Sequence, residues 1–413
     1  MKNILIAIRS IFKKGRHNVM KIVSLGIGLA VGLVLIAKVY FEQSYDDFYP
    51  DRDRVYQVWA KYQQNGGELK DYPQTSGGIA PTMQQQIPEI ETVTRYTSFG
   101  DWTFTMTDTK MKYSGRCIIA DSCFFDILPR PMLIGNAKEV LSTPMYVLVS
   151  SRIAKNIGGD VIGKNFTVDS SPGRTMTIGG VFEEVPENSH SRYDVIVSMA
   201  SAGRFMWEGS PTNMLGNDRY ISYVKLHKGV NPLALEEQVH TFVNSYFPPE
   251  EQQKTGFNIG FSFHELDGLH KELPQVKRMT WILSLLAFAL IFTAVMNYIL
   301  IVISSIVNRS KEVAVHKCYG ASENNIHGMM FGEALVHIVL SLILALLLIL
   351  AFRGTVEELL ATSLDSLLLS NGSLVLLGIC ILVFFVSGFM PGSLYARIPV
   401  ASAFRNYREN KRI

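Results

Sequence analysis

Apolar residues are distributed along this chain in two ways. They run almost without interruption through Ile22–Phe41, Trp281–Ile306, Phe331–Phe352 and Ser373–Met390. A bilayer core of ~30 Å needs about 20 apolar residues at 1.5 Å rise each, so each run predicts a transmembrane helix. In residues 48–273 they alternate with polar residues in short stretches instead. Asp53-Arg-Val-Tyr-Gln-Val-Trp-Ala-Lys-Tyr has the period of two that marks a half-buried strand. Similar stretches predict strands near 91–97, 102–107, 112–119, 145–150, 165–169, 174–183, 193–199, 219–227 and 257–265. Helices fit at Pro81–Gln86, Ser122–Leu128, Ser151–Ile157 and Pro232–Tyr246, with turn signals such as Ser170-Ser-Pro-Gly between elements. The fold class that follows is a multi-span α-helical membrane protein with four transmembrane helices. A large α+β extracytoplasmic domain, of mixed or antiparallel sheets, is inserted between helices 1 and 2.

Two of the helices should outlast the membrane. After Pro274 no proline or glycine occurs until Gly320, a stretch that would measure ~67 Å if helical, and Asn18–Asp47 would measure ~43 Å. Both would carry the chain from the outer domain to the inner face as rods. At the N-terminus Ile4, Leu5, Ile8, Ile11 and Phe12 recur every three to four residues opposite Arg9, Lys13 and Lys14, which predicts an interfacial amphipathic helix over residues 1–17. Within the first span, Gly28-x-x-x-Gly32 has the small-residue spacing that lets two helix backbones approach closely, with Gly26 beside it.

Composition agrees with a membrane protein: 48% of the 413 residues are hydrophobic, and the mean hydropathy of +0.17 is high for a soluble chain. The net charge of +3 is informative through its placement, because Lys and Arg near membrane ends stay inside. Lys2, Arg9, Lys13, Lys14, Arg16 and Lys21 precede the first span with no acid among them, and Arg397, Arg405, Arg408, Lys411 and Arg412 follow the last. Arg309, Lys311 and Lys317 mark the 307–330 loop as inner, whereas Glu357, Glu358 and Asp365 suit the outer side. Both termini are expected in the cytoplasm, with residues 42–280 outside the inner membrane. The first run exceeds a signal-peptide core and no small-x-small site follows it, so it reads as an anchor that is retained. Cys117 and Cys123 fall in the outer domain, where a disulfide between them could form, although two buried thiols beside the strand-like Ile118-Ile119-Ala120 is the plainer reading.

Catalytic motifs are scarce. Gly158-Gly-Asp-Val-Ile-Gly163-Lys164-Asn165 matches all but the last position of a phosphate-binding loop, but Asn165 lacks the metal-binding hydroxyl and the topology puts the segment where there is no ATP. No HExxH, CxxC, GxSxG or acidic metal cluster occurs, so neither enzyme chemistry nor a metal is expected in this chain, and nothing points to nucleic acid. Glu333 and His337 sit one turn apart on the third span and Asn297 lies deep in the second. Hydrogen bonding between helices explains them better than a proton relay.

The segment from Ala294 to Ile326 carries the most information. A helix leaving the bilayer at Asn308-Arg309 is stopped by Gly320 as a left-handed cap and restarts with Ser322 as N-cap and Glu323 in the first turn, which makes a cytoplasmic helix–turn–helix elbow. Its pattern R-x-K-E-V-x-V-H-K-x-x-G-A, from Arg309 to Ala321, resembles the signature of MacB/FtsX-type ABC transporter permeases. Phe41-Glu-x-x-Tyr-Asp-x-Phe, Asp53-Arg-Val-Tyr-Gln-Val, Phe124-Phe-Asp-Ile-Leu and Gly180-Val-Phe-Glu-Glu-Val-Pro-Glu-Asn-Ser-His are similar to its long-tailed branch in two-membrane bacteria. The resemblance covers nearly the whole chain. His316 stands where Arg is usual, and many relatives are twice as long with a second set of four spans. This chain stops at the Ile398-Pro-Val-Ala-Ser-Ala-Phe-Arg tail that joins their halves, as a fragment would.

The resemblance implies a permease subunit with a periplasmic MacB-like core domain over 48–273 and an FtsX-like permease domain over 274–413. It implies a mechanotransmission mechanism, in which a dimer of separate cytoplasmic ATPases, holding the ATP and Mg, moves the elbow and through it the outer domain. Arg309, Lys311, Glu312, His316, Lys317, Gly320, Ala321 and Ser322 would contact the ATPase. A second permease copy or homologue is implied, and a periplasmic adaptor, lipoprotein or hydrolase could join. The substrate would be a lipoprotein, lipid, peptide or drug. The alternatives are a regulatory module controlling a cell-wall hydrolase or a peptide response, and a receptor with no ATPase.

Overall fold

The computed structural model describes residues 18–368 apart from 170, 217, 305–314, 316–317 and 321, together with 378 and 382. The chain divides into two compact units, Met1–Gln43 with Pro274–Ile413, and Ser44–Leu273.

Among the described residues of the first unit, three helices are long and apolar enough to cross a membrane: α1 (Asn18–Gln43), α2 (Pro274–Ser304) and α3 (Glu323–Ala351). The 31 residues of α2 span ~46 Å, half as long again as a bilayer core. Its expected continuation toward Gly320, the expected fourth span over 373–390 and the amphipathic segment 1–17 lie outside the described residues. Two short helices, Arg353–Leu360 and Leu364–Leu368, follow α3. Arg353 pairs with Glu357 and Asp365, and Leu364 and Leu367 are buried.

The second unit is built on one mixed sheet of eleven strands, ordered β11-β1-β10-β3-β4-β9-β6-β8-β5. Its strands are β1 (Val55–Gln64), β2 (Lys70–Tyr72), β3 (Ile90–Met106), β4 (Lys112–Ala120), β5 (Met132–Ile134), β6 (Tyr146–Ser150), β7 (Asn165–Val168), β8 (Ser171–Phe182), β9 (Val195–Ser198), β10 (Ile221–Leu226) and β11 (Phe257–Glu265). Off that path, β2 pairs with β1, and β7 pairs with β3 and β8. Only β4–β9 and β6–β8 are parallel among the described pairs.

The strands expected at 91–97 and 102–107 are one strand of 17 residues. Its register against β4 slips between Ser98 and Gly100, and Gly100 takes a positive φ of 74°, so an irregularity absorbs what reads in sequence as a break. Strands β2 and β5, three residues each, and the short helices Ala137–Ser142, Ala202–Phe205, Pro249–Thr255 and Gly268–Lys271 were not anticipated.

Side chains alternate across the sheet into separate cores. Ile118 and Ala120 of β4 join Phe124, Leu128, Phe182, Tyr193 and Tyr223, whereas Cys117 and Ile119 point into a cluster with Phe104, Val149, Phe166 and Val197. This separation answers the cysteine question. Cys117 is fully buried on its face, and Cys123, at the head of the helix Phe124–Ile127, directs its thiol to the Val93 carbonyl at 3.1 Å. Both are free in this structure. Burial pushes both thiols above the usual cysteine range. After denaturation without reductant, mass spectrometry of an alkylated 117–123 fragment should show two labels, and an unlabelled, oxidised fragment would contradict this packing.

Candidate functional site

Few residues of the expected coupling elbow are described. Val315 and Cys318 are helical and exposed, the Tyr319 amide donates to the Val315 carbonyl at 3.0 Å, and Tyr319 is 88% exposed. Gly320 has a φ of +83°, the left-handed conformation that ends a helix at low cost only for glycine. Ser322 restarts the chain as N-cap of α3, its Oγ accepting from the Asn325 amide at 3.3 Å. Arg309, Lys311, Glu312, His316, Lys317 and Ala321 lie outside the described residues.

In lipid, helices gain little from apolar contact alone, so close backbone approach matters. Gly28 and Gly32 face α2: a Cβ on Gly28 would lie 2.2 Å from the Ala294 Cβ, and one on Gly32 would lie 2.4 Å from Ile291. Gly26 faces α3 in the same way, its absent Cβ 2.9 Å from Leu344. The Ser341 hydroxyl of α3 donates to the Ile22 carbonyl at 3.1 Å and to the His337 carbonyl at 2.8 Å. One glycine-rich helix thus sits against two neighbours.

Glu333 and His337 are both buried on α3, and the Tyr298 ring of α2 meets the His337 ring edge-on at 6.3 Å. Asn297 is exposed on α2 among the described residues. Asn18 and Lys21, whose burial sequence reasoning missed, lie at the start of α1. The signal was available: Lys21 falls on the stripe of Leu25, Gly28 and Gly32. At the other end of α1, the buried Lys38 ammonium lies 2.6 Å from Glu42, donates to the Thr362 hydroxyl at 2.8 Å and sits 5.1 Å from the Phe41 ring.

The outer unit has its own polar centre. Asp46, fully buried with a φ of +60°, accepts hydrogen bonds from the Ser189 hydroxyl at 3.0 Å and the His190 amide at 3.3 Å, and meets His190 Nδ1 at 2.7 Å. His190 Nε2 in turn meets the Tyr223 hydroxyl and lies 3.0 Å from Ser191 Oγ, which pairs with the Tyr96 hydroxyl at 2.6 Å. Burial pushes Tyr96 up to about 12 and Tyr223 well above the usual phenol range. The order Asp–His–Ser is that of a nucleophilic relay. Ser191 is nevertheless buried and bonded to a phenol, with no approach for a substrate, so the group braces the fold.

Beside this centre, Tyr45 stacks on His270 with centroids 3.4 Å apart, and Lys271 pairs with Asp47 at 2.9 Å and Asp267 at 2.8 Å. Arg52 joins Asp267 at 3.1 Å. The points where the chain enters and leaves this unit are therefore cross-braced.

The loop resembling a phosphate site follows the C-terminus of the helix Ser151–Ile157 and leads into β7, and the Lys164 ammonium is bonded to the Gly158 carbonyl at 3.2 Å. Phosphate binding needs a helix N-terminus there instead. No metal-binding group of His, Cys, Asp or Glu occurs among the described residues.

The family described as MacB-like periplasmic core domain matches residues 20–242, just over half of the chain, and the family described as FtsX-like permease C-terminal matches residues 284–400. Among solved structures, a domain of a protein described as a permease, from Porphyromonas gingivalis, is 32% identical with a TM-score of 0.48, covering 52% of this chain and 91% of that one. The periplasmic region of MacB from Actinobacillus actinomycetemcomitans is 16% identical, with a TM-score of 0.33 and coverages of 50% and 87%. The extracellular domain of the noncanonic ABC-type transporter YknZ from Gram-positive bacteria is 10% identical, with a TM-score of 0.35 and coverages of 50% and 98%. No curated protein matches.

The glycine contacts give a direct test. Gly28→Leu should lower the apparent melting midpoint of the detergent-solubilised protein, at a cost of about 1–3 kcal/mol from overpacking. The milder Gly28→Ala should be partly compensated by Ala294→Gly, and a midpoint indifferent to all three changes would remove this seam.

Proposed function

This chain belongs to the MacB/FtsX-type family of ABC transporter permeases, and we propose that it is a non-catalytic subunit driven by a separate cytoplasmic ATPase. Membership makes it a membrane component of a transporter with an extracellular domain. The proposal adds a mechanism. ATP and Mg bind in an ATPase dimer, the elbow around Gly320 and Ser322 moves with that dimer, and α1 and α2 carry the movement to the outer unit. The partner in the membrane is a second copy or a homologue, and the substrate is an envelope lipoprotein, lipid, peptide or drug.

The observation that carries this reading is the cross-braced root of the outer unit. The chain enters that unit directly after α1, at Ser44, and leaves it at Leu273, directly before α2. Asp47, Lys271, Asp267 and Arg52, with the Tyr45–His270 stack, hold the two crossings together. A displacement transmitted through either helix therefore reaches a stiffened base and not two independent linkers. The ion pairs are partly exposed and each is worth little alone, but four groups in one network with a ring stack restrict the motion of both segments.

In our reading both termini are cytoplasmic, residues 42–280 are periplasmic and the protein lies in the bacterial inner membrane. Asp101→Cys in a cysteine-free background should react with a membrane-impermeant maleimide in cells with a permeabilised outer membrane. A variant retaining only the exposed Cys318 should not react, and labelling at Cys318 would reverse the topology.

The elbow is tested separately. Gly320→Val costs ~1–2 kcal/mol in the left-handed conformation and should re-aim the turn, while Lys317→Glu should weaken the contact to the ATPase. Both variants should insert normally yet lose permease-dependent stimulation of ATP hydrolysis. Wild-type stimulation by both would exclude this loop as the transmission element.

A further inference from the structure

A cleft of about 830 Å³ opens on the outer unit, in the range of small-molecule and short-peptide sites. The β-sheet register explains how its walls are assembled. Residues directly opposite in neighbouring antiparallel strands share a face, and Tyr62 lies opposite Lys70, Ala60 opposite Tyr72 and Gln64 opposite Phe257. Tyr62, Tyr72 and Phe257 therefore project from one face. Tyr62 stands between the others, its centroid 5.6 Å from Tyr72 and 5.2 Å from Phe257. This is the end of β1 away from Val55, roughly 27 Å along the strand from Tyr56 and Glu265, which lie close to where the chain enters and leaves the unit.

Leu215, Gly216 and Asp218 also line the cleft. Asp218 is half-buried and accepts hydrogen bonds from the Tyr62 hydroxyl at 2.5 Å and from the Ser76 hydroxyl. No cationic side chain pairs with it among the described residues, whereas Asp46, Asp121 and Asp194 each face His or Arg; the half-buried Glu89, held by Gln238, is a second carboxylate without a cation but does not line this cleft. Glu68 and Lys70 lie at the exposed rim and offset one another in charge. The cleft thus presents three aromatic rings, one of them 44% exposed, around a carboxylate that has two neutral donors and no counter-charge.

We propose that this cleft binds a cationic group, an ammonium or guanidinium, against the Asp218 carboxylate and beside the Tyr72 and Tyr62 rings. Aromatic faces attract a cation within about 6 Å of their centroids, and a carboxylate supplies the charge-assisted hydrogen bond that a neutral ligand does not use. The bound group comes from a basic peptide side chain or from an amine headgroup. The site goes beyond the permease reading and does not depend on it, because binding is measured on this chain without ATPase.

The test uses the full chain in detergent with a fluorescein-labelled Gly-Lys-Gly peptide and its Gly-Gln-Gly counterpart, followed by anisotropy. The lysine peptide should bind and the glutamine peptide should not, and Asp218→Asn and Tyr72→Leu should each weaken binding about tenfold with the melting midpoint unchanged. Tyr72 lies on an exposed rim strand, so its variant keeps the test valid should Asp218→Asn disturb folding. Displacement by glycerophosphoethanolamine supports the site with a lipid amine as the source, and failure to displace supports it with a peptide as the source. Equal binding of the two peptides, no binding of either, or wild-type binding by both variants would overturn it.

Discussion

A carboxylate removed from water must find its hydrogen bonds in the protein, and much of the outer unit is arranged around one that has done so. Asp46 has no exposed surface and is bonded to Ser189 and twice to His190. Through His190 it reaches Tyr223 on β10, and through Ser191 the network reaches Tyr96 on β3, two adjacent strands near the middle of the sheet. The Asp46 amide also donates to the Asn188 carbonyl at 2.9 Å, and the Asn188 side chain returns a bond to Ser44 at 2.7 Å. The left-handed backbone at Asp46 is tolerable because a short polar side chain can bond locally. The segment leaving α1 is thereby fixed to the sheet within three residues, and the ion pairs at Asp47 and Arg52 are fixed in turn.

The membrane unit answers a different constraint. Its helices cannot rely on water to drive them together, so their contact depends on how closely backbones approach and on which polar groups need a partner. Gly28 and Gly32 serve the first need against α2 and Gly26 serves it against α3, while the Lys38–Glu42 pair with Thr362 serves the second near the outer end of α1. A Lys and a Glu buried one turn apart cost much to desolvate, and they are tolerated because each neutralises the other and Thr362 takes a further bond.

Most of the architecture was legible from periodicity, because long apolar runs and period-two strands are dictated by local chemistry. The ten stretches read as strands all lie in the sheet, although two of them are continuous through the bulge at Gly100. What escaped notice was short or depended on distant partners. β2 and β5 have three residues each and exist only because β1 and β8 offer an edge. The roles of Asp46 and His190 are not legible in the sequence, since 144 residues separate them and only the fold brings them together. The charge of Lys21 marks sidedness, and its position on the stripe of Leu25 and Gly28 also foretells its burial. Asp218 carries no motif at all, and its lack of a counter-ion can be seen only once its neighbours are known.

The strand order also sets a timetable. β1 is the first strand of the outer unit, yet its long neighbours are β10 and β11, the last two. Only the short β2 is close in sequence. A chain delivered N-terminus first must therefore hold an amphipathic, pairing-competent strand open until nearly the whole unit has been delivered. Such high contact order slows folding, and an unpaired strand edge invites wrong partners in the meantime. Tethering by α1 does not shorten that wait. The outer unit should consequently be the slow and chaperone-dependent part of this protein's biogenesis, with the hairpin of β1 and β2 as the one local shelter available while the chain is still being delivered.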